Sequence, residues 1–135
     1  MEFPAQIPFA DLLALELIRF EDGEAHIVCE LRPALCNSIG NAHGGVMMTL
    51  LDVAMVHAAR SPNKGESAPR PFCATMELKT TFLSPGKGRL LAIGVVLRRT
   101  SSIAFCEASV LNEDGMLAAR GSGTFKYQSQ PARTV

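Results

Sequence analysis

The sequence predicts an α+β fold in which a strongly curved antiparallel β-sheet wraps around one long central α-helix. Two observations support this fold class. Residues 46–59 are apolar on nearly every side, and a helix of that kind must be covered all round. The second half of the chain alternates strand-like runs with short polar turns, which is typical of an antiparallel sheet. The length of 135 residues suits one domain with its own core, so we interpret residues 1–135 as a single domain.

The N-terminal quarter of the chain predicts a short helix followed by a hairpin. Two prolines indicate that residues 1–8 form a loosely ordered arm. Apolar residues at helical spacing follow in Phe9–Leu17, although residues 15–20 also fit the start of a strand. A turn at 21–24 then leads into a second strand, Ala25–Leu31, which we expect to pair with the first.

The rest of the chain predicts the long helix, a loop and four strands. The helix covers about residues 45–60, and a proline-rich loop follows it. Four strand-like segments come next, and we expect them to pair in sequence order as an antiparallel meander: 74–83, 89–98, 103–111 and 116–127. Residues 128–135 are interpreted as a loosely ordered tail. Because one sheet cannot cover the whole helix and its edges invite pairing, we expect a two-fold oligomer.

Charge and cysteine content exclude several classes of protein. Thirteen basic and 13 acidic residues give a formal net charge of zero, so no broad basic surface is available for nucleic acid. The four cysteines lack the spacing of a zinc site and no export signal is visible, which predicts reduced thiols in a cytoplasmic protein. The apolar run is too short to cross a bilayer and contains an aspartate, so we expect no membrane span.

The junction between a polar loop and the apolar helix is the first half of a candidate site. The loop contains Asn37 and ends in His43-Gly44-Gly45. The first N–H groups of a helix have no partner within it and carry the positive end of its dipole. Since the two glycines place no side chain over these groups, a ligand oxygen can approach them. Such donors stabilise the oxyanion of acyl transfer by about 3–4 kcal/mol each. A simple tight turn is the alternative interpretation.

Asp52 is the second half of the candidate site, because a carboxylate in an apolar helix needs a partner or a function. With Gly45 and Thr49 it forms a polar stripe along one side of the helix, although Thr49 could simply bond back to a helix carbonyl. Asp52 would lie roughly 10 Å from Gly45 along the axis, too far for both to act on one carbonyl. A two-fold dimer with facing helices would bring Asp52 toward Gly44 of the partner subunit.

Neither His57 nor a metal ion is expected to belong to this site. His57 lies off the polar stripe near the end of the helix, where a cation is favoured, and is interpreted as structural. The spacing of His43, Asp52 and His57 does not place three ligands on one face, so we expect no metal site.

The spacing of Asn37, His43-Gly44-Gly45 and Asp52 resembles the hotdog-fold acyl-CoA thioesterases of the phenylacetate-pathway (PaaI) type. The resemblance covers about residues 10–127 and includes the Thr-Phe-Leu-Ser-Pro sequence that ends at Pro85. It implies the curved sheet around a central helix, dimers with a continuous sheet and often dimers of dimers. Two active sites would lie across the dimer interface.

The same resemblance implies a role for each matching residue. The N–H of Gly44 would polarise the thioester carbonyl, and Asn37 and His43 would fix the loop and the thioester. Asp52 of the partner subunit would be the nucleophile or the general base that activates water. The hydroxyl of Thr75 would orient that water beside Asp52.

Coenzyme A would be part of the substrate and a product, and no retained cofactor is expected. Its phosphates would need basic groups at the surface, for which the turn of Arg99, Thr100, Ser101 and Ser102 is preferred. The other basic candidates are Lys87, Arg89, Arg98 and Arg120.

Adaptable apolar side chains from the long helix and from the strands would line the acyl pocket, together with the N-terminal helix of either subunit. The expected helix residues are Met47, Met48 and Leu51, and Gly45 and Thr49 would also contact substrate.

The predicted function is hydrolysis of an acyl-CoA, with an aromatic or medium-chain acyl group, to the free acid and CoA. Two alternatives stay open. A non-catalytic acyl-CoA-binding module would bind without turnover, but the carboxylate and the oxyanion site are more than simple binding needs. A hydratase or dehydratase on the same fold would need a catalytic histidine–carboxylate pair, which His26 and His57 do not form convincingly.

Overall fold

A computed structural model describes residues 1–128 and resolves them into two α-helices, one 3-10 turn and six strands. The helices are α1 (Pro8–Leu12) and α2 (Gly44–Arg60), and the 3-10 turn is Pro33–Leu35. The strands are β1 (Glu16–Glu21), β2 (Glu24–Glu30), β3 (Phe72–Phe82), β4 (Arg89–Arg99), β5 (Ile103–Leu111) and β6 (Leu117–Gln128). Apart from Gln128, the predicted C-terminal tail lies outside the described residues.

The strands form one open antiparallel sheet in the order β1-β2-β4-β5-β6-β3. Helix α2 contacts all six strands, so the sheet curves around it. The predicted fold class, an antiparallel sheet wrapped around one long helix, is therefore confirmed. The predicted hairpin of β1 and β2 also forms, with Glu21 opposite Glu24.

The predicted four-strand meander is wrong at β3. This strand pairs with β6, with Thr75 opposite Phe125, and does not pair with β4. The neighbour of β4 on that side is instead β2, with Glu30 opposite Arg89. Because β2 occupies that position, β3 moves to the far edge of the sheet. Strand alternation indicates which face a residue occupies but not which strand lies beside it.

Helix α2 is buried along most of its length, and the sheet approaches it closely. Leu50, Leu51 and Met55 have no exposed surface. A side chain at Gly94 on β4 would overlap the main-chain carbonyl of Ala54, so only glycine allows the strand to pass this near to the helix. The helix therefore has a fixed distance from the middle of the sheet.

Two side chains from the sheet hold the C-terminal end of α2. The guanidinium of Arg99 donates to the carbonyls of Ala58 and Ala59, at 3.3 and 3.0 Å. The hydroxyl of Tyr127 donates to the Ala59 carbonyl at 2.6 Å and accepts from Arg99 at 2.8 Å. These bonds satisfy carbonyls that the helix leaves unpaired and prevent it from sliding along the sheet.

The N-terminal arm, expected to be loosely ordered, packs against the helix. The ring of Phe3 lies edge-on to that of His57, with centroids 5.0 Å apart. His57 is 2% exposed, and burial lowers its pKa to about 4. Its Nδ1 donates to the Val53 carbonyl at 2.7 Å. His57 packs in the core as predicted, but its lowered pKa makes it neutral rather than a cation at the helix end, because desolvation outweighs the bond to the Val53 carbonyl.

Two further findings concern the whole described chain. Its cysteines are unpaired thiols: Cys29, Cys36, Cys73 and Cys106. Within residues 1–128 no helix has the length and apolarity that crossing a membrane requires.

Candidate active site

His43 caps the start of α2 and leaves one main-chain N–H unsatisfied. Its main-chain carbonyl accepts from Val46 at 2.9 Å and from Met47 at 3.2 Å. Its ring Nδ1 accepts from the N–H of Gly45 at 2.9 Å. Of the first four N–H groups of the helix, that of Gly44 alone has no hydrogen-bond partner within residues 1–128. The helix start therefore offers one donor, in the positive field of the dipole.

The expectation that both glycines leave their N–H groups open is corrected by this cap. The N–H of Gly45 is already used by the histidine, so it cannot bind a substrate oxygen while the cap is intact. A side chain at Gly45 would place its Cβ 3.0 Å from Nδ1 of His43 and crowd the ring. Gly45 is thus needed for the cap, and only Gly44 has the predicted donor geometry.

Asn37 organises the loop before the helix. Its side-chain oxygen accepts from the N–H groups of Ile39 and Asn41, both at 3.1 Å. Its own N–H donates to the Asn41 carbonyl at 2.7 Å. The side-chain oxygen is committed to the loop, and Asn37 also lines the same pocket as Gly44. Asn37 therefore holds the loop beside this pocket, and its predicted role toward the thioester stays a prediction.

Asp52 is held by one specific hydrogen bond. The hydroxyl of Thr75 donates to Oδ1 of Asp52 at 2.7 Å, across 23 positions of sequence. Burial raises the pKa of the Asp52 carboxyl, and the bond from Thr75 opposes that rise in part. A carboxylate with a raised pKa is a stronger base, and Oδ2 has no hydrogen-bond donor within residues 1–128. The structure therefore brings Thr75 and Asp52 together, with the hydroxyl bonded to the carboxylate itself; the implied role of Thr75 in orienting a water stays a prediction.

The edge position of β3 explains this contact. β3 runs beside α2 in the opposite direction, so Phe82 lies near Gly44 and Thr75 lies beside Asp52. The strand register shifts between Thr75 and Glu77, where the strand bulges. Bulges of this kind re-aim a side chain and often lie next to active sites.

The two halves of the candidate site are far apart in one chain. Gly44 and Asp52 are eight residues apart on α2, which corresponds to about 12 Å along the helix axis. A single carbonyl group cannot contact both. The predicted separation of the donor and the carboxylate is thus present in the structure.

The other helix residues predicted to contact substrate have different surroundings. The Thr49 hydroxyl donates to the Gly45 carbonyl at 2.8 Å, which is the alternative that the sequence left open. Met48 is 39% exposed and Met47 is 2% exposed. Leu51 has no exposed surface and packs beside Gly121 in the core, so it does not line the pocket.

The basic residues proposed for phosphate binding fall into three groups. Arg99 is bonded to the end of α2, roughly 20 Å along the helix from Gly44, and Thr100 and Ser101 lie in the turn after it. The side chains of Arg89 and Arg120 pair with Glu30 at 3.2 Å and Glu107 at 2.8 Å. The two remaining candidates are exposed and have no ion pair within residues 1–128: Lys87 and Arg98.

A surface pocket of about 420 Å³ opens beside Gly44. Its walls include Ile39, Phe82 and Leu83, three apolar residues that are 78%, 53% and 54% exposed. The sequence predicted strand residues in the acyl pocket but did not name any of these three. Phe82 and Leu83 belong to the Thr-Phe-Leu-Ser-Pro sequence, but only the placement of β3 reveals that they lie next to the helix start.

These features define a class of protein: an open antiparallel sheet around a helix whose first N–H faces a pocket, which is the hotdog architecture of thioester-processing proteins. Residues 39–119 match the family model of the thioesterase superfamily, and the chain belongs to that superfamily. A protein of Saccharolobus solfataricus, provisionally named as an esterase, is 30% identical over 114 residues. The match covers 84% of this chain and 78% of that relative.

Solved structures share the fold over almost the whole chain. A conserved protein of Pseudomonas aeruginosa superposes with a TM-score of 0.81 at 26% identity, over 91% of this chain and 95% of that one. A variant of PaaI, the phenylacetic acid degradation protein of Thermus thermophilus, superposes with a TM-score of 0.77 at 27% identity. The shared region is 90% of this chain and 100% of that one. Together with the superfamily match, these likenesses support thioester hydrolysis as the general reaction.

Proposed function

We propose that this protein hydrolyses acyl-CoA thioesters to the free acid and CoA, at sites shared between two subunits. Two features of α2 together carry the proposal: the N–H of Gly44, which is unsatisfied within residues 1–128, and the hydrogen-bonded carboxylate of Asp52, whose pKa is raised. Acyl transfer needs both an electrophile site for the carbonyl oxygen and a base or nucleophile. CoA is the substrate moiety and a product in this reaction.

The need for a dimer follows from the distance between the two groups. A donor and a carboxylate about 12 Å apart along the axis of one helix cannot meet at one carbonyl carbon. Among residues 1–128, β3 is an edge strand whose outer side pairs with no other strand, and it carries large exposed apolar side chains, including Phe72 and Met76. Such an edge favours pairing with a second copy about a two-fold axis. Antiparallel pairing there would place the partner's Asp52 toward Gly44.

The reaction then proceeds with a defined task for each group. The thioester oxygen accepts a hydrogen bond from the N–H of Gly44, which stabilises the negative charge that develops on it. Oδ1 of the partner's Asp52 is held by the partner's Thr75, and Oδ2 either removes a proton from water or attacks the carbonyl carbon. In the first case hydroxide adds to the carbon, the C–S bond breaks, and the CoA thiolate takes up a proton. In the second, the attack forms an anhydride as the C–S bond breaks and the CoA thiolate leaves and takes up a proton; water then hydrolyses the anhydride, which releases the free acid and regenerates the Asp52 carboxylate.

The electrostatics of the surface favour two positions for the CoA phosphates. Lys87 and Arg98 are the candidates whose charge is not already neutralised by a carboxylate or committed to the helix end. The apolar pocket beside Gly44 suits an aromatic or medium-chain acyl group.

Initial rates with a panel of acyl-CoAs test the proposed activity. We expect wild type to release CoA from at least one aromatic or medium-chain substrate, and Asp52→Asn to lose most of that rate while it remains folded. Asp114→Asn is the matched control, because this carboxylate lies in the β5–β6 turn, where it accepts from the N–H of Met116. Saturable binding of acyl-CoA without turnover would instead identify a binding module.

Complementation tests the shared site. Asp52→Asn retains the donor and Gly44→Pro retains the carboxylate, so a mixed dimer would contain one intact site. Random pairing should restore about one quarter of wild-type activity, since half of the dimers are mixed and half of their sites are intact. If both groups act within one chain, co-expression of the two variants restores nothing. Light scattering gives the number of subunits and distinguishes a dimer from a dimer of dimers.

A further inference from the structure

We infer that Phe82 determines the size of the acyl group that the site accepts. This inference rests on the proposed hydrolysis of acyl-CoA, and it assigns a specificity role to a residue outside the donor and the carboxylate. Phe82 is the last residue of β3, and its ring is 53% exposed although it is large and apolar. An exposed ring beside a polar donor is suited to contact an apolar ligand.

The ring of Phe82 borders the oxyanion donor directly. A Cβ added at Gly44 would lie 3.4 Å from Cζ and 3.5 Å from Cε1 of Phe82. These are ordinary van der Waals distances, so the far edge of the ring covers the first residue of α2. A thioester whose oxygen bonds to the Gly44 N–H must therefore place either its acyl or its pantetheine arm close to this ring.

The composition of the pocket favours the acyl arm. Gly44 and Phe82 both line a pocket of about 420 Å³, and its apolar side chains also include Ile39, Met47 and Leu83. The polar side chains of the lining are Asn37, Asn41 and Ser84, and those of Asn37 and Ser84 already bond to main-chain groups. The pantetheine arm, in contrast, contains two amide groups that need hydrogen-bond partners when they are buried. An acyl chain has no such need after its carbonyl.

The side of the pocket formed by Ala42, Met47 and Gly86, called its floor, is tightly packed, so the size of the pocket depends mainly on the ring of Phe82. The N–H of Ala42 donates to the Gly86 carbonyl at 2.9 Å, which ties the loop to the segment after β3. A Cβ at Gly86 would lie 2.7 Å from Cβ of Ala42 and 3.0 Å from Sδ of Met47. The floor is thus packed, whereas one face of the pocket ends at the ring of Phe82.

Shortening Phe82 should therefore shift the substrate preference rather than lower all rates alike. In Phe82→Ala the pocket extends into the volume of the ring, and the ratio of kcat/KM for long or branched acyl groups to that for short ones should rise about 10-fold or more. Phe82→Leu keeps an apolar side chain on β3 and should shift the same ratio in the same direction by less. Phe82→Trp should lower the ratio.

The experiment compares kcat/KM for linear acyl-CoAs of increasing length, a branched acyl-CoA, benzoyl-CoA and phenylacetyl-CoA. Phe105→Ala is the matched control, because Phe105 is also an exposed strand phenylalanine, at 40%, but lies on β5 away from the pocket. The same series is measured for binding affinity in the Asp52→Asn background, with and without Phe82→Ala. Light scattering confirms that the oligomeric state is unchanged.

A change in the substrate ratio in the Phe82 variants, but not in Phe105→Ala, supports the inference. The inference is overturned if Phe82→Ala and Phe82→Leu each change kcat/KM by the same factor for every substrate. It is also overturned if activity is lost together with a change in oligomeric state. If wild type hydrolyses none of the substrates, the proposed function fails. The affinities then decide the inference alone, since a size-dependent change in binding supports it and a uniform change overturns it.

Discussion

Replacing Gly44 by proline removes the one unsatisfied N–H at the start of α2 and little else. Gly44 is the first helical residue, the position where proline is best tolerated because its missing N–H has no partner within the helix. The preceding residue, His43, has φ −62° and ψ 140°, an extended conformation that a following proline favours. We therefore expect Gly44→Pro to fold and to unfold at a similar or higher temperature, because proline restricts the unfolded chain.

Loss of this donor should lower kcat by about 10² to 10³, or roughly 2.7–4 kcal/mol of transition-state stabilisation. Gly44→Ala is the comparison variant, because it keeps the N–H while adding a Cβ 3.4 Å from Phe82, and it should lose less activity than Gly44→Pro. Steady-state kinetics with the best acyl-CoA, together with melting curves, give both quantities. The assignment of the oxyanion site is refuted if Gly44→Pro stays within about threefold of wild type, or if Gly44→Ala loses as much as Gly44→Pro.

Three further predictions concern titratable groups. Thr75→Val removes the bond that holds down the pKa of Asp52, so kcat should fall about 10-fold and the acid limb of the kcat/KM profile should move to higher pH. Asp52→Asn should melt at a higher temperature than wild type at pH 7, because the raised pKa means that ionisation destabilises the native state; this advantage should shrink as acid protonates Asp52. His57, whose pKa falls from 6.5 to about 4, stabilises the fold by about 3 kcal/mol above pH 6.5, and this is lost as pH falls to 4. His57→Leu should reduce that acid-induced loss in denaturant titrations at pH 7 and pH 4, and an unchanged loss would contradict the buried neutral state.

Much of the fold follows from local patterns in the sequence. The predicted helix at about 45–60 matches Gly44–Arg60, and the predicted strand at 103–111 matches Ile103–Leu111. Periodicity encodes which side of an element is buried, and turn residues mark its ends. The sequence left the end of the first helix open, because residues 15–20 also fit a strand; in the structure α1 ends at Leu12 and Leu17 is buried from β1.

The candidate site was predictable wherever its chemistry is local. The loop, the cap and the start of the helix are contiguous in sequence, and a lone carboxylate in an apolar helix is conspicuous without any tertiary contact. The surface cations were less predictable. Arg99 is a residue type that often binds phosphate, but its guanidinium donates to the carbonyls of Ala58 and Ala59 at the end of α2. A cation that the sequence places in a surface turn can instead bond to the carbonyls of a helix end about 40 residues away in the chain.

The sequence by itself determined one long buried helix, an antiparallel sheet, a glycine-rich helix start and the carboxylate of Asp52. The tertiary structure alone decided that β3 lies at the sheet edge, which brings Thr75 to Asp52 and Phe82 to Gly44. It also decided that Gly44, and not Gly45, keeps an unsatisfied N–H, because the ring of His43 turns back to cap the helix. Local sequence specifies burial and turns, whereas these contacts depend on strand order and side-chain rotamers, which only the packed chain fixes.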